Sequence, residues 1–258
     1  MEHSFASLTA DLCRMGLTGE ETIMIHSSMK KIGPVEGGAE TVLEVLKEYF
    51  RKGNGLLVFP AFSYASILNA PGKNVFDVRN TPCCVGILPE LFRSQSGVKR
   101  SLHPLHSLAA WGRECVSFTE GHEKYDTAFN LNGPFGRLPV RNGKILLAGV
   151  GLTACTYFHA LEEWACVDIL SRNPLSLYVQ DETGNRFARS VYWHKGAHSE
   201  MFDRALKLLE AGGALHHVRF GSAASLLLDC RKSAEILLPL LREKKDFFFN
   251  PECPPQAE

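Results

Sequence analysis

The chain has 258 residues, 45% hydrophobic and 22% charged, the proportions of a folded globular protein rather than a disordered one. Its 28 Lys and Arg balance 28 Asp and Glu, a formal net charge of zero, which argues against a nucleic-acid binder with its basic excess and against an acidic receptor for polycations. No stretch approaches the ~18 apolar residues of a membrane span. The N-terminal MEHSFASLTADLCRMG lacks the basic segment and apolar run of a secretory signal. The eight cysteines, without regular spacing, therefore read as reduced thiols in a cytoplasmic protein.

In chain order, ETIMIHSS reads as a strand, AETVLEVLKEYFRKG as a helix and GLLVFPAF as a second strand. Val42, Leu43, Val45, Leu46 and Phe50 make one apolar face of that helix, and Gly53 suits its stop. Both strands are continuously apolar, the pattern of strands covered on two faces. A helix over Gly86 to Phe92 follows, then a strand from Ser107. GKILLAGVGLTACTYFHALEEWA reads as a strand, a glycine turn and a helix. SLYVQDETGNRFARSVYWH has the pattern of a β-hairpin, and MFDRALKLLEAGG and AEILLPLLREKK that of helices. The proline-rich 251–258 is expected to be a loose tail. Alternating helices and buried strands predict an α/β architecture, and no linker divides a single domain over 1–258.

Four groups of residues suit chemistry. Gly149, Gly151 and Ala154 fit G-x-G-x-x-A between a strand and a helix, where N–H groups can approach a phosphate or carbonyl oxygen. A dinucleotide site would also need a second strand ending in an acidic residue, and Asp168 follows the helix with no strand before it. On that helix, His159 precedes Glu162 and Glu163 by three and four residues, so either carboxylate can reach the imidazole. A carboxylate on one ring nitrogen fixes the tautomer and raises the basicity of the other, as a general base requires. Lys99, Arg100, Ser101, His103, Pro104, His106 and Ser107 form a polar run suited to a phosphorylated or polar ligand. His103 with His106, and His194 with His198, have zinc-like spacings, but no regular Cys or carboxylate set accompanies them, so no metal is expected. Finally, IHSSMKKIG places His26, Ser27, Ser28, Lys30 and Lys31 just after a strand, where hydroxyls cap a helix or bind ligand groups. A G-x-S-x-G elbow and a Walker loop are both absent, so those hydrolase and kinase templates fail.

Taken in order, these segments resemble the aminoglycoside 3-N-acetyltransferase family. The similar blocks are IMIHSSMKKIGPVEGGAE, LLVFPAFSY, TPCCVGILPELFR with GVKRSLHPLHSLAAWG, GPFGRL, and GKILLAGVGLTACTYFHALEE, between about residues 20 and 165. The fold expected is α/β, a layered α/β/α sandwich around a central mixed sheet, with the β-hairpin in the C-terminal third. The resemblance implies transfer of an acetyl group from acetyl-coenzyme A (acetyl-CoA) to a small-molecule primary amine. It implies no metal, no nucleic acid and no membrane, and a monomer or homodimer. His159 would be the general base, oriented by Glu162. His26 and Ser27 would lie beside the thioester and pantetheine arm, and Arg100, Ser101, His103 and Ser107 around the coenzyme, with Ser28 and Lys30 as further coenzyme-binding residues and Lys30 suited to its phosphates. Tyr64, Asn132, Phe135 and Glu163 are expected to meet the substrate.

Family members that modify aminoglycosides usually carry an acidic loop where this chain has NLNGPFGRL, with Asn130, Asn132, Phe135 and Arg137 and no carboxylate. The expected acceptor is therefore an aminoglycoside or, on this charge argument, a less cationic biosynthetic amine. Cys155 offers a ping-pong route through an acyl-thiol. Two other classes compete: an NAD(P)-dependent oxidoreductase built on the G-x-G-x-x-A turn, and a non-catalytic binding protein on the same scaffold.

Overall fold

The computed structural model describes residues 2–69, 74–194 and 199–249. The predicted tail at 251–258, and His198 of the second zinc-like pair, lie outside them. The strands are β1 Thr22–Ser27, β2 Leu56–Pro60, β3 Val75–Asp77, β4 Lys99–Arg100, β5 Leu108–Gly112, β6 Lys144–Ala148, β7 Leu175–Gln180, β8 Arg186–Val191, β9 Leu215–Phe220 and β10 Ala223–Asp229. The helices are α1 Phe5–Arg14, α2 Met29–Ile32, α3 Gly38–Gly53, α4 Tyr64–Leu68, α5 Ile87–Arg93, α6 Cys115–Thr119, α7 Pro134–Val140, α8 Tyr157–Trp164, α9 Leu206–Ala211 and α10 Cys230–Glu243.

Seven strands form one mixed sheet in the order β4-β5-β2-β1-β6-β10-β9. Its centre, β2-β1-β6, is parallel, and the flanking strands run antiparallel. The apolar runs are explained by burial on both faces. Ile23, Ile25, Leu57, Phe59, Leu146 and Ala148 pack with α1, α3 and α5, whereas Met24, Leu56, Val58, Ile145 and Leu147 pack with α7, α8 and α10. The result is the layered α/β/α arrangement expected.

The predicted hairpin forms, with β7 pairing β8 antiparallel, and joins β3 in a separate three-stranded sheet. Three differences from the sequence reading stand out. The β9–β10 hairpin, unread in the sequence, completes one edge of the main sheet. MFDRALKLLEAGG is divided between a 3-10 helix, Ser199–Ala205, and α9. The strand after α8 is β7, which belongs to the other sheet, so Gly149–Asp168 does not open the βαβ unit a dinucleotide fingerprint requires. Among the described residues no helix is long and apolar enough to cross a membrane. The described cysteines carry free thiols.

Candidate active site

The parallel strands β1, β2 and β6 end on the same side of the sheet, the position at which open α/β sheets bind ligands. A cavity of about 310 Å³ lies there. His26 and Ser27 line it from the end of β1, Pro60 from β2 and Val150 from the turn after β6, with Tyr64, His106 and Thr156 completing the wall. That turn relies on Gly149, at φ 75°, where a Cβ would stand 2.5 Å from the Lys31 Cβ. A 3-10 turn, Leu152–Ala154, then leads into α8.

Two polar atoms of the cavity wall, His26 Nε2 and Thr156 Oγ1, are buried without a hydrogen-bond partner among the described residues. Buried polar atoms in folded proteins are nearly always paired, so an exception calls for an explanation such as a ligand. Thr156 occupies the N-cap position of α8, yet its hydroxyl makes no cap hydrogen bond. Burial pushes the His26 imidazole down to about 4, so it is neutral at physiological pH.

One turn into α8, His159 Nδ1 lies 2.9 Å from Glu162 Oε2. The Glu162 residue is fully buried. An ionised carboxylate only accepts hydrogen bonds, so Nδ1–H is the donor and the ring is held in one tautomer. Among the described residues, three rings lie around the imidazole: Phe202 at 4.9 Å between centroids, Phe129 at 6.0 Å and His194 at 4.4 Å. Phe129 is fixed from behind, because Trp164 Nε1 donates to its carbonyl at 2.7 Å and Phe135 packs on its ring at 4.5 Å. His194 Nε2 meets Glu163 Oε1 at 3.0 Å. Burial pushes the Glu163 carboxyl up to about 7, opposed by a hydrogen bond from Thr127 and reinforced by the charges of Asp126 and Glu162.

Three neutral histidines cluster here, His106 on the wall and His103 and His122 behind it. His103 Nδ1 accepts from the Leu105 and His106 backbone N–H groups, so its proton sits on Nε2. His122 Nε2 donates to the Ala128 carbonyl and its Nδ1 accepts from Ser101 Oγ, which in turn accepts from Leu108 N–H. Burial drives all three pKa values down, His122 to about 4 and His106 to about 3, the latter helped by the charges of His159 and His122.

The other sequence-derived positions divide sharply. Arg100 is buried and donates to the carbonyls of Ala61, Val78 and Thr81 and to Ser107 Oγ, which donates to Ala61. Arg100, Ser101, His103 and Ser107 are thus interior groups, and none of them lines the cavity. Ser28 caps α2 by position, and Lys30 is exposed beside it. Asn132 N–H donates to Asn130 Oδ1 on an exposed turn, and Phe135 is fully buried. Arg137 donates to the carbonyls of Ser117, Phe118 and Glu120, so the cation of NLNGPFGRL acts as a clamp. Cys155 is fully buried, and burial pushes its thiol up to about 12, which leaves almost no thiolate for an acyl-thiol route.

Thr156, His106, Phe129 and His194 complete the constellation without having been assigned to it from sequence. His106 lies inside the polar run 99–107, and Thr156 stands three residues before His159, the spacing that puts two side chains on one helix face. Phe129 comes from a loop and carries no local signal, and His194, at the hairpin exit, carries only its zinc-like spacing with His198.

Residues 24–242 match the family model for aminoglycoside 3-N-acetyltransferase. A prophage-derived aminoglycoside N(3')-acetyltransferase-like protein, YokD, of Bacillus subtilis is 31% identical over 176 residues, 60% of this chain and 63% of that protein. Aminoglycoside N(3)-acetyltransferase III of Serratia marcescens is 29% identical over 173 residues, 62% of this chain and 64% of that enzyme. The matched stretch thus spans less than two thirds of either relative. The fold is shared with aminoglycoside acetyltransferase AAC(3)-IVa, at a TM-score of 0.82 and 24% identity over 97% of this chain and 93% of that one. It is shared equally with AAC-IIIb in its binary complex with CoASH, at a TM-score of 0.81 and 23% identity over 95% and 98% of the two chains. The chain belongs to the aminoglycoside 3-N-acetyltransferase family.

Proposed function

We propose that this protein transfers the acetyl group of acetyl-CoA to a primary amine, with His159 as general base and Glu162 as its orienting partner. The observation that carries the reading is the 2.9 Å His159–Glu162 contact on the helix that starts at the cavity. The coenzyme-bound and aminoglycoside-bound relatives of the same fold, AAC-IIIb with CoASH and AAC-VIa with sisomicin, agree with both halves of the reaction.

An alkylammonium with a pKa near ~10 must lose a proton before it can attack a thioester. With Nδ1–H given to Glu162, the proton-accepting nitrogen of His159 is Nε2, and the buried carboxylate stabilises the imidazolium that forms. The amine nitrogen bonds to the acetyl carbon, the carbonyl oxygen takes up negative charge, and the C–S bond then breaks. The departing thiolate takes a proton back as free coenzyme A. Donors aimed at the developing oxyanion lower this barrier. Thr156 Oγ1 and His26 Nε2 suit that task, since each is buried on the cavity wall with no partner among the described residues. Ser27 and Tyr64 would flank the pantetheine arm, with Lys30 at the exposed end of the path.

The acceptor is an aminoglycoside amine or a less cationic biosynthetic amine. The zero net charge and the commitment of Glu162 and Glu163 to histidines support the second. The clamp made by Arg137 removes one part of the charge argument, because its guanidinium faces backbone carbonyls. The test is incubation with acetyl-CoA and a mixed amine panel that includes aminoglycosides, with products identified by mass. An acetylated amine together with free coenzyme A is expected, and coenzyme binding without thiol release from any amine would overturn the reading.

A further inference from the structure

We propose that Glu163 and His194 form a second histidine–carboxylate pair whose task is to position the His159 ring, making His194 a positioning residue for acetyl transfer. This rests on the proposed role of His159 as base.

Glu162 and Glu163 are adjacent on α8, and each carboxylate meets a different imidazole: Glu162 meets His159 at 2.9 Å and Glu163 meets His194 at 3.0 Å. The His194 ring then lies against His159, edge to face at 4.4 Å and 65°, while its own face stacks on Phe129 at 4.8 Å and 26°. Phe202 closes another side of His159 at 4.9 Å and 62°. The hydrogen bond that His159 Nδ1–H donates to Glu162 fixes one vertex of the ring but leaves rotation about that bond. A rigid ring against its edge removes this freedom, and effective general bases need it removed.

The backbone that carries His194 is tied down as well. It bridges to Leu170, Ser171 N–H donates to the Trp193 carbonyl, and Tyr192 N–H donates to the Asp126 carbonyl. A side-chain exposure of 11% for both His194 and Glu163 adds a second point. A buried ionisable pair is seldom better for stability than apolar residues of the same volume, so a pair kept in contact with the base has a reason beyond packing.

The test uses the full-length protein and the variants His194→Ala, Glu163→Ala and Glu163→Gln, with steady-state kinetics and imidazole nitrogen NMR. The His159 signals are assigned from their loss in His159→Ala. Positioning predicts that His194→Ala and Glu163→Ala lower kcat at least tenfold, with KM for acetyl-CoA within about twofold and an unchanged melting temperature. Glu163→Gln, whose amide oxygen still accepts from His194, recovers most of that loss. In the parent spectrum His159 shows a single tautomer protonated on Nδ1, and in His194→Ala its nitrogen shifts move toward averaged values. Unaltered His159 shifts in His194→Ala, or kcat within twofold of the parent, overturns the proposal. A parent that transfers no acetyl group overturns the function instead, and the NMR comparison still decides the positioning.

Discussion

Two polar groups of similar composition, the Arg100–Ser107 run and the wall of the strand-end cavity, differ in how their hydrogen bonds are spent. Arg100 gives its donors to three carbonyls and a serine, Ser101 and Ser107 are tied to backbone or to a neighbouring side chain, and His103 accepts two backbone N–H groups at Nδ1 while its buried Nε2 has no partner among the described residues. On the cavity wall, His26 Nε2 and Thr156 Oγ1 have no partner among the described residues. Residue type alone makes both groups look like ligand sites; the paired guanidinium and hydroxyls mark the first as framework, whereas the unpaired atoms of the second line a cavity, which His103 does not.

The largest effect expected is on the chemistry itself. His159→Ala should lower kcat by about 10²–10⁴, the usual worth of a positioned base, while acetyl-CoA binding measured by calorimetry is retained. Next comes the framework. Arg100→Ala should cost about 3–5 kcal/mol in urea unfolding, because it leaves several buried acceptors without a donor. If the variant instead folds normally and only raises KM for acetyl-CoA, the contrast drawn above collapses.

Thr156→Val sharpens the comparison from the other side. It should lower kcat by about 10² if the hydroxyl serves the oxyanion, yet leave the melting temperature unchanged or higher, because a buried orphan has been removed. Loss of stability in place of kcat would make Thr156 a framework residue.

A smaller effect follows from the neutral histidines. His26 and His122 titrate near 4 and His106 near 3 when folded, against ~6.5 unfolded. The unfolded chain therefore takes up protons first as the pH falls. Stability present above pH ~6.5 should decline toward pH 4, with a limiting slope of about 1.4 kcal/mol per pH unit for each such imidazole. Urea midpoints between pH 7 and pH 5 measure it, and a flat profile would mean these rings are solvated. The smallest effect belongs to Lys30→Ala, where an exposed cation should change KM for acetyl-CoA by no more than a few fold and stability by less than about 0.5 kcal/mol.

Much of the framework was legible in the sequence because it depends on local pattern. β1, α3, β2 and β6 announce themselves by apolar runs and one amphipathic helix, and the β7–β8 hairpin by its Glu-Thr-Gly-Asn turn. β9 and β10 did not, because His216 and His217 interrupt alternation on an edge strand, and Ala223, Ala224 and Ser225 are too small to show a period. α1 was missed because its capping box closes with Ser4 and Ser7 instead of the usual Glu. At the site, His159 and Glu162 share one turn of helix and could be paired by spacing. Phe129 and His194 reach the same ring only through the tertiary fold.

The placement of Thr156, His159, Glu162 and Glu163 on one short rod has a consequence for how this site can change. Each residue along a helix turns the next by about 100°, so a single insertion or deletion between Thr156 and Glu163 would swing every later group out of phase at once. The chemistry can therefore be inherited only as a block. Phe129 and His194 belong to other segments, tethered to the rod through Trp164 and Glu163. Lineages can rework such segments to admit a different amine while the rod stays constant, so acceptor range and reactivity are free to diverge at separate rates.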